Sequence, residues 1–485
     1  MTDTNDIVEP VLAKAYPLLV DGAWEAGEGE VFDLLNKYTL KPIARVPSAS
    51  NSQVARVIDA AQEAFAKGAP TPYERGVVLD RAAVLVERMR HDFVAVMQAE
   101  AGFTASDASG EVSRCIQTLR LSAEEARRLA GDVIPLAGAP NQAGRLAFTL
   151  RVPLGIVAAI TPFNSPLNTV THKVGPAFAA GNAVILKPSS NTPLTALKLV
   201  EVLVEAGMPR GFLSLVQGGG DVARALLEDD RVRFFAFTGS TEVGRSIQMA
   251  AGLRRTQMEL GSIAFTVLCA DADLDRALPK IVNAGYRKAG QVCTSVQILL
   301  VQEEIVANVI AQMKDRVRAL PFGDPSRDDT VVGPMIAEKE AKRVEAWVND
   351  AVAQGAHLLA GGTREGAVMA PTLLANVSPD MKVGACEIFG PVVCIMSFRT
   401  LDEAVARVNA TPFGLATGIF TNQLTQALNM AVHLEVGGVH INETSSSRVD
   451  MMPYGGSKDS GFGREGPRYA IHEMTEERIV TISTI

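Results

Sequence analysis

The chain has 485 residues, 47% of them apolar and 21% charged, with a formal net charge of −8. A chain of this length is too long for a single hydrophobic core, so we expect two or three globular domains. The acidic balance, without a basic stripe or interleaved aromatic residues, argues against a nucleic-acid partner.

The cysteines and the N-terminus indicate the cellular compartment of the protein. No two of the five cysteines form a Cys-x-x-Cys pair and the histidines are scattered, so neither a disulfide framework nor a metal site is predicted. The acidic N-terminus shows no signal segment, and no apolar run is long enough to span a bilayer. We therefore expect a protein of the reducing cytoplasm that has no membrane partner.

The first 130 residues are predicted to be mostly helical. After a loose leader (1–16) and a short strand with its turn (17–22), Asn51 and Ser52 are predicted to cap a helix. Its apolar positions follow a helical stripe of Val54, Val57, Ile58, Ala61 and Phe65. Longer helices are predicted over 73–101 and 110–130.

Two strand-like segments, 132–136 and 145–152, follow and are joined by a turn rich in Gly, Pro and Asn. They lie far in sequence from any sheet partner. We expect this hairpin to cross to another domain or subunit.

From residue 155 the pattern changes to buried strands that alternate with amphipathic helices. This alternation predicts a parallel sheet with helices on both faces, the layout of a dinucleotide-binding domain. A second α/β domain is predicted after residue 256. The predicted strands are 155–160, 183–186, 213–216, 232–237, 267–269 and 297–301, and the predicted helices are 167–178, 193–206, 221–228, 241–252 and 304–319.

A candidate nucleophile lies in Gly290-Gln-Val-Cys-Thr-Ser295. A cysteine among small and polar residues, with backbone N–H groups beside it, is expected to have a lowered pKa and to suit covalent catalysis. The alternative is that Cys293 is a small buried hydrophobe, which is the commoner role of a single cysteine.

Two strand ends carry candidate cofactor contacts. Phe237-Thr-Gly-Ser-Thr-Glu-Val-Gly244 closes a strand and opens a helix, where Gly239, Ser240 and free N–H groups would hold a pyrophosphate. Lys187 ends an earlier strand and would point into the same crevice. A tight turn and a solvated lysine are the alternatives, and Gly218-Gly-Gly220 is predicted to be a loop.

Two further polar residues complete a mechanism. Glu259 lies in an apolar stretch, where a carboxylate tends to have a raised pKa and can act as a general base, or else forms a structural salt bridge. Asn164, between two prolines, is either a turn residue or an amide donor to an oxyanion. Together, Cys293 would attack a carbonyl, Asn164 and the Cys293 N–H would hold the oxyanion, and Glu259 would activate water.

With these residues, the chain resembles the aldehyde dehydrogenase superfamily from about residue 17 to 485. Its sequence is most similar to the lactaldehyde dehydrogenase-like subgroup. The resemblance rests on Pro162-Phe-Asn-Ser-Pro, Leu186-Lys-Pro-Ser-Ser, Phe237–Gly244, Met258-Glu-Leu-Gly, Gly290-Gln-Val-Cys, Glu387-Ile-Phe-Gly-Pro391 and Pro453-Tyr-Gly-Gly-Ser-Lys-Asp-Ser-Gly461. It implies Cys293 as nucleophile, Glu259 as base and Asn164 as oxyanion donor.

The resemblance also implies an NAD(P) site. Lys187 and Glu387 would hold the adenosine-side and nicotinamide-side riboses, Gly239 and Ser240 the pyrophosphate, and Phe389 would pack near the nicotinamide. The full implied set is Ile160, Thr161, Pro162, Phe163, Lys187, Ser190, Gly220, Phe237, Gly239, Ser240, Val243, Glu387 and Phe389. Many NAD-preferring members have Glu where Ser190 stands; serine does not repel a 2′-phosphate, so NAD is our first expectation and NADP stays open.

The family fold implies a Rossmann-like cofactor domain, an α/β catalytic domain and a small bridging β element through which members form homodimers or homotetramers. We expect the cofactor domain at 17–130 and 150–255, the catalytic domain at 256–461 and the oligomerisation element at 131–149 and 470–485. Where the family often has Gly-Gly-Asn, this chain has Gly261-Ser262-Ile263, which puts the local backbone in question because serine is less free than glycine.

The substrate is expected to be a short functionalised aldehyde in a tunnel that includes Phe163, Ser165, Val292, Thr294 and the loop 444–450. Val292 offers no anchor for an anion. Arg448 would either bind an acidic substrate group or pair with Asp450 or another acid. Two other functions compete: a CoA-acylating dehydrogenase, against which Glu259 argues, and a catalytically silent protein on this fold.

Overall fold

The chain folds around two β-sheets, one of eight strands and one of seven, each with its own apolar core. The computed structural model describes residues 16–483, so the predicted leader lies outside the described residues apart from Tyr16. Helices pack on both sheets, whose central strands are parallel. The predicted α/β class is confirmed.

The N-terminal part contains more strands than predicted. Its elements are β1 Leu18–Val20, β2 Ala23–Glu25, β3 Val31–Leu35, β4 Pro42–Pro47, α1 Asn51–Ala66, α2 Pro72–Arg88, α3 Arg90–Ala101 and α4 Ala105–Arg128. The strand predicted at 17–22 is confirmed as β1. The mostly helical prediction is wrong for residues 23–47, because β2 to β4 are short strands stabilised by pairing rather than by a local apolar pattern.

Two helix boundaries also differ from the prediction. Ser50, not Asn51 or Ser52, caps α1: its Oγ accepts from the Gln53 N–H at 3.2 Å, and the Gln53 side chain accepts from the Ser50 N–H at 3.0 Å. This reciprocal capping box satisfies two donors at the helix start. The helix predicted over 73–101 is two helices separated at Met89, whose φ of −97° and ψ of 16° interrupt the helical geometry.

The middle of the chain follows the predicted alternation of strands and helices. Its elements are β5 Val133–Ile134, β6 Arg145–Pro153, β7 Ile156–Ile160, α5 Asn168–Ala179, β8 Ala183–Lys187, α6 Pro193–Glu205, β9 Leu213–Leu215, α7 Gly220–Glu228, β10 Val232–Thr238, α8 Thr241–Ala251 and β11 Arg255–Glu259. Every residue of β7 and β8 is buried, as expected for strands covered on both faces.

The last part forms the second sheet and returns to the first. Its elements are β12 Ala264–Leu268, α9 Leu274–Tyr286, β13 Val296–Gln302, α10 Val306–Arg318, α11 Glu338–Ala353, β14 His357–Ala360, β15 Arg364–Glu365, β16 Val368–Met369, β17 Thr372–Ala375, α12 Lys382–Ala385, β18 Val392–Phe398, α13 Leu401–Asn409, β19 Phe413–Gly414, β20 Ala416–Phe420, α14 Leu424–His433, β21 Gly438–Ile441, β22 Ser457–Lys458, β23 Gly461–Phe462, α15 Pro467–Glu473 and β24 Thr475–Ser483. The strands and helix predicted between 267 and 319 are confirmed.

The first sheet has the order β2-β1-β9-β8-β7-β10-β11-β23, and its five strands from β9 to β11 are parallel. Parallel strands place their carboxyl ends at the same edge. Ile160 is therefore paired with Lys187, and Thr238 with Glu259, along one edge of the sheet. This edge is where ligands bind in open α/β sheets.

The second sheet has the order β14-β17-β18-β13-β12-β20-β21, parallel except for β14. It begins at Ala264, whereas β11 (Arg255–Glu259) belongs to the first sheet, together with β23. All of β11 except Arg255, and Gly461 of β23, fall in the range predicted for the catalytic domain. The division into domains itself stays a prediction.

The hairpin predicted at 132–152 forms β5 and β6, and β6 pairs along its whole length with the returning strand β24, from Thr475↔Pro153 to Ser483↔Arg145. This three-stranded sheet is separate from the two large ones. Leu146 and Ile482, directly paired, are each about half exposed, at 50% and 49%. The sheet fits the predicted bridging element, and its part in oligomerisation stays a prediction.

Between residues 16 and 483, no helix combines the length and the apolar character needed to cross a membrane. In the same range, no cluster of three or more His, Cys, Asp or Glu side chains has the arrangement of a metal site.

Candidate active site

A cleft of about 1310 Å³ is lined by strand ends of the first sheet and by segments that connect the elements around the second. Every single residue that the sequence predicts for catalysis, for the cofactor or for the substrate lines this cleft, whereas the predicted loop 444–450 contributes only Ser446 and Arg448. The structure thus brings together segments that are up to 288 positions apart, from Ile160 to Arg448 (448 − 160). The individual roles of these residues stay predictions.

The loop before Cys293 has an unusual backbone. Lys288, Ala289 and Gly290 all have positive φ angles, of 52°, 53° and 67°. A Cβ on Gly290 would lie 2.1 Å from the Gly390 carbonyl oxygen, so only glycine fits there. Lys288 Nζ helps to hold the loop through Glu111 at 2.7 Å and the Asn164 carbonyl at 3.0 Å. Such strain is concentrated at functional sites.

Cys293 lies in a tight turn closed by a hydrogen bond from the Ser295 N–H to the Val292 carbonyl, 2.8 Å long. Its Sγ lies 2.8 Å from the Tyr454 hydroxyl. Burial raises the pKa of the Cys293 thiol to about 11, and the charge of Glu259 raises it further, although the Tyr454 bond and Arg448 act in the opposite direction. The expectation of a lowered thiol pKa is therefore wrong, because the thiol is more deeply enclosed than its small polar neighbours suggest.

Asn164 lies beside the nucleophile. Its side-chain Nδ2 donates to the Gln291 carbonyl at 2.8 Å, two residues before Cys293. A primary amide has a second N–H, so this bond orients the group and leaves one donor for a substrate oxygen. Within the described part of the chain, no backbone acceptor bonds to the Cys293 N–H. These two donors fit the predicted oxyanion site.

Glu259 ends β11 and reaches the cleft from the first sheet. It is 4% exposed, and among residues 16–483 neither of its carboxylate oxygens has a hydrogen-bond partner. Burial raises the pKa of Glu259 well above its usual range, and the nearby charge of Glu465 raises it further. A buried carboxyl group without partners is suited to exchange protons, as the predicted general base requires.

Glu465 is the charged counterpart of Glu259. Burial acts to raise the pKa of Glu465, but Lys173 and Arg448 outweigh it and hold that pKa well below its usual range. The Glu465 carboxylate is 3.1 Å from Lys173 Nζ and 2.8 Å from Arg448 Nη2. The pKa of Glu465 is thus lowered and that of Glu259 is raised. Glu465 remains an anion, whereas Glu259 can gain and lose a proton.

Arg448 pairs with an acid, which was one of its two predicted alternatives. The partner is Glu465 rather than Asp450, because Asp450 is taken by Arg114 at 2.6 Å and by His172 at 2.9 Å. The Arg448 guanidinium also lies 3.8 Å from the ring centroid of Tyr454. Its positive charge is largely compensated within the protein.

Four cations line the cleft near Cys293, and three of them have a carboxylate partner. The pairs are Lys288 with Glu111, Arg114 with Asp450 and Arg448 with Glu465. Arg287 is the exception: in the described part of the chain it forms no ion pair, and its Nη2 donates to the Ser446 hydroxyl at 2.6 Å. Ser446 Oγ lies 3.3 Å from Thr294 Oγ1, next to the nucleophile.

The other predicted substrate residues are placed differently. The Ser165 hydroxyl donates to the Glu111 carboxylate, at 2.8 and 2.9 Å to its two oxygens. Its proton is therefore engaged within the protein. Val292 contributes an apolar wall.

The cofactor end of the cleft fits a dinucleotide. Lys187 is 7% exposed, its Nζ bonds the Pro188 carbonyl at 3.1 Å, and burial lowers its pKa to about 8. Ser240 is the N-cap of α8, and the helix N-terminus that it opens faces the cleft. The Thr161 hydroxyl is buried without a partner among the described residues and lines the same cleft. A basic group, a helix N-terminus and an unsatisfied hydroxyl suit phosphate and ribose groups.

Ser190 donates its hydroxyl to the Gly218 carbonyl at 2.9 Å. The side chain is therefore oriented by the loop, and it brings no negative charge to this end of the cleft. This leaves the choice between a 2′-hydroxyl and a 2′-phosphate open.

Glu387 and Phe389 line the opposite wall. Glu387 Oε1 accepts from the Ser262 N–H at 2.8 Å, and burial raises the pKa of Glu387 to about 7. Ser262 is not among the residues with positive φ, so its backbone suits serine as well as glycine. Phe389 has a φ of 46° and meets the Phe163 ring edge-on, with the centroids 5.9 Å apart.

Several lining residues were not predicted from the sequence. Arg287 and Lys288 form a basic pair just before the cysteine motif, and Tyr454 lies inside the motif 453–461. The local sequence could therefore have pointed to these three residues. Arg114 lies on α4, an amphipathic helix with several arginines, and nothing in its neighbourhood distinguishes it. Its place in the cleft depends on helix packing.

The model of the aldehyde dehydrogenase family matches residues 24–480. The chain belongs to the aldehyde dehydrogenase family. Members of this family oxidise aldehydes to acids with NAD or NADP, and solved relatives of the enzyme have been determined with each cofactor. The catalytically silent alternative is therefore wrong, and the comparisons do not support CoA acylation.

Two curated relatives and one solved structure are informative. The enzyme is 46% identical to a 3-sulfolactaldehyde dehydrogenase of Priestia aryabhattai, over 97% of this chain and 98% of the relative. It is 35% identical to a lactaldehyde dehydrogenase of Methanococcus maripaludis, over 96% and 100%. Aldehyde dehydrogenase 21 of Physcomitrella patens, solved with its reaction product succinate, is 37% identical over 96% and 98%, with a TM-score of 0.94.

Proposed function

We propose that this aldehyde dehydrogenase oxidises a short aldehyde that carries an anionic group, through a Cys293 thioester that Glu259-activated water hydrolyses. The observation that carries the substrate class is the guanidinium of Arg287 in the cleft, which among the described residues has no carboxylate in ion-pair contact. A half-buried cation without a carboxylate partner is unfavourable on its own and provides a site for a carboxylate or sulfonate.

The position of Arg287 limits the length of the substrate. Ser446 joins the Arg287 guanidinium to Thr294 by two polar contacts of 2.6 and 3.3 Å, and Thr294 is adjacent to Cys293. An anionic group bound at Arg287 therefore places an aldehyde carbon a few bonds away near the sulfur. Two relatives agree with this class, since one is named for a sulfonated aldehyde and another was solved with the dicarboxylate succinate.

The first chemical step uses residues of both sheets. The Cys293 thiolate forms a bond to the aldehyde carbon, and the carbonyl electron pair moves to the oxygen. The free N–H of the Asn164 amide and the Cys293 N–H would stabilise that oxyanion. When bound in the cleft, NAD(P) would supply the acceptor for the hydride that leaves the substrate carbon as the thiohemiacetal becomes a thioester. Lys187, Glu387, Thr161 and the N-terminus of α8 would hold it.

Hydrolysis of the thioester is assigned to Glu259. In its ionised form the Glu259 carboxylate removes a proton from water, the hydroxyl attacks the thioester carbon, and the thiolate leaves with the acid as product. Because Glu465 is held as an anion by Lys173 and Arg448, Glu259 is the group of this pair that titrates. A base for water is not needed in the CoA-acylating route.

The substrate class is tested by Arg287→Met, which removes the charge and keeps an unbranched side chain. We measure kcat/KM for succinic semialdehyde and 3-sulfolactaldehyde, and for neutral lactaldehyde and propanal. Loss of a charged bond at a half-buried site predicts a decrease of roughly 30-fold or more for the acidic aldehydes and little change for the neutral ones. Arg45→Met, at an exposed arginine outside the cleft, is the matched control.

Equal losses for acidic and neutral aldehydes would exclude Arg287 as the anion site. A native enzyme that prefers the neutral aldehydes would overturn the substrate class and leave the chemistry at Cys293 intact. The same assays with NAD and NADP test the cofactor preference, for which NAD stays our first expectation.

A further inference from the structure

The Tyr454 hydroxyl is 2.8 Å from the Cys293 sulfur, the atom that reacts. We propose that Tyr454 is a catalytic residue that donates a hydrogen bond to this sulfur and stabilises its thiolate. The inference rests on the proposed role of Cys293 as the nucleophile, and it adds a donor that acts on the sulfur rather than on the substrate oxygen.

The direction of this bond is decided by ionisation. In the neutral pair either the thiol or the phenol can donate. A thiolate has no proton, so it can only accept, and Tyr454 is then the donor. Hydrogen bonds to an ionised acceptor are about twice as strong as those between neutral groups, so the contact favours the thiolate over the thiol.

Tyr454 is held firmly in this position. Its N–H donates to the Glu465 carbonyl at 3.1 Å and its carbonyl accepts from the Glu465 N–H at 2.6 Å. The Arg448 guanidinium covers the ring at 3.8 Å and is itself bonded to the Glu465 carboxylate at 2.8 Å. Tyr454 is therefore held by two main-chain bonds and by the guanidinium over its ring, none of which involves Cys293, so the phenol keeps its position when the sulfur changes charge.

The protonation states fit the same assignment. Burial raises the pKa of Tyr454 well above its usual value, so the phenol keeps its proton and remains a donor at neutral pH. Burial also raises the pKa of Cys293, to about 11, so the thiolate needs stabilising contacts. The proton lost by Cys293 goes to solvent through the cleft. When the sulfur bonds to the aldehyde carbon its negative charge moves to the carbonyl oxygen, and the bond to Tyr454 weakens.

The test is Tyr454→Phe, which removes one oxygen atom and keeps the ring under Arg448. The rate of Cys293 alkylation by iodoacetamide is measured against pH in the enzyme without cofactor or aldehyde. Mass spectrometry separates Cys293 from the exposed Cys386. Loss of a bond to a charged acceptor predicts a shift of the profile to higher pH and a rate about 10- to 100-fold lower at a fixed pH below both pKa values.

Tyr73→Phe, at a tyrosine 69% exposed and outside the cleft, is the matched control and should leave the profile unchanged. An unchanged profile in Tyr454→Phe would show that Tyr454 only supports Arg448 and would overturn the proposal. Should the variant fold poorly, native sequence labelled with the more acidic 3-fluorotyrosine serves instead: a stronger donor should move the profile to lower pH, and no movement contradicts the proposal. Alkylation needs no aldehyde, so the result is independent of whether the substrate class is right.

Discussion

Glu259 shows how a single buried carboxyl group sets a pH dependence. Burial and Glu465 raise its pKa, so the carboxyl group is neutral at low pH and becomes a base only as the pH rises through the raised value. We predict that the rate of thioester hydrolysis, measured by single-turnover kinetics, increases with pH across neutrality and above.

Glu259→Gln keeps the size of the side chain and removes the base. We expect one equivalent of NAD(P)H to form in a burst, followed by a steady state at least about 100-fold slower than in the native enzyme, because the acyl group stays on Cys293. Mass spectrometry of the stalled enzyme should show the acylated peptide. A variant with no burst would place Glu259 in the first half of the reaction instead.

At the scale of single residues, the sequence was sufficient to predict a candidate site residue wherever that residue lies at a strand end. Lys187, Glu259 and Asn164 each follow an apolar run, and the parallel order of the strands is enough to bring them together. The prediction of a lowered pKa for the Cys293 thiol was wrong because this pKa depends on the groups that surround the sulfur. Two of these groups, Tyr454 and Glu259, come from distant segments of the chain. The ion-pair partner of each cation could not be predicted from the sequence either, since it depends on which carboxylate lies across the cleft.

At the scale of elements, the left-handed loop from Lys288 to Gly290 leads into Cys293, the predicted nucleophile. Gly290→Ala would add a Cβ 2.1 Å from the Gly390 carbonyl oxygen at a φ of 67°. We predict a loss of about 1–3 kcal/mol in the free energy of unfolding and a fall in kcat of roughly 10-fold or more, since the cysteine must shift with the loop.

Gly110→Ala is the matched control for this change. Gly110 is an exposed residue inside α4, and a Cβ there meets nothing within 4 Å. Alanine is the better helix former, so the free energy of unfolding should increase by about 0.5–1 kcal/mol without an effect on kcat. If Gly290→Ala unfolds at the same denaturant concentration as the native enzyme, the Gly290 loop has room to adapt and is not strained.

The strands from β7 to β10 were predictable because each is a continuous buried apolar run between amphipathic helices. The strands β2, β3 and β4 were not, because they are short, carry charged residues and depend on pairing with one another or with β1. The break at Met89 was missed because the helical pattern of the sequence continues across it, and the non-helical φ and ψ angles of Met89 have no local sequence signal.

At the scale of the whole molecule, the sheet formed by β5, β6 and β24 presents an apolar face to solvent. Leu146, Leu150 and Ile482 are each between 44% and 50% exposed, more than isolated surface positions explain. We predict that the enzyme is a homodimer or homotetramer through this sheet, and that the double change Leu146→Ser with Ile482→Ser lowers the molar mass measured by light scattering.

Val84→Ser, at an apolar residue of α2 that is 54% exposed, is the control and should leave the mass unchanged. A native enzyme with the mass of one chain would refute the prediction. The hairpin itself was visible in the sequence, but its partner β24 lies more than 300 residues away, and only the fold shows that the two segments pair.

The predicted base and the predicted nucleophile are attached to different sheets. Glu259 ends a strand of the first sheet, whereas Cys293 precedes a strand of the second, and each sheet has its own core. The distance between the predicted water-activating carboxylate and the sulfur therefore depends on how the two cores pack against each other. A displacement of one core against the other would change that distance without altering any residue of the cleft.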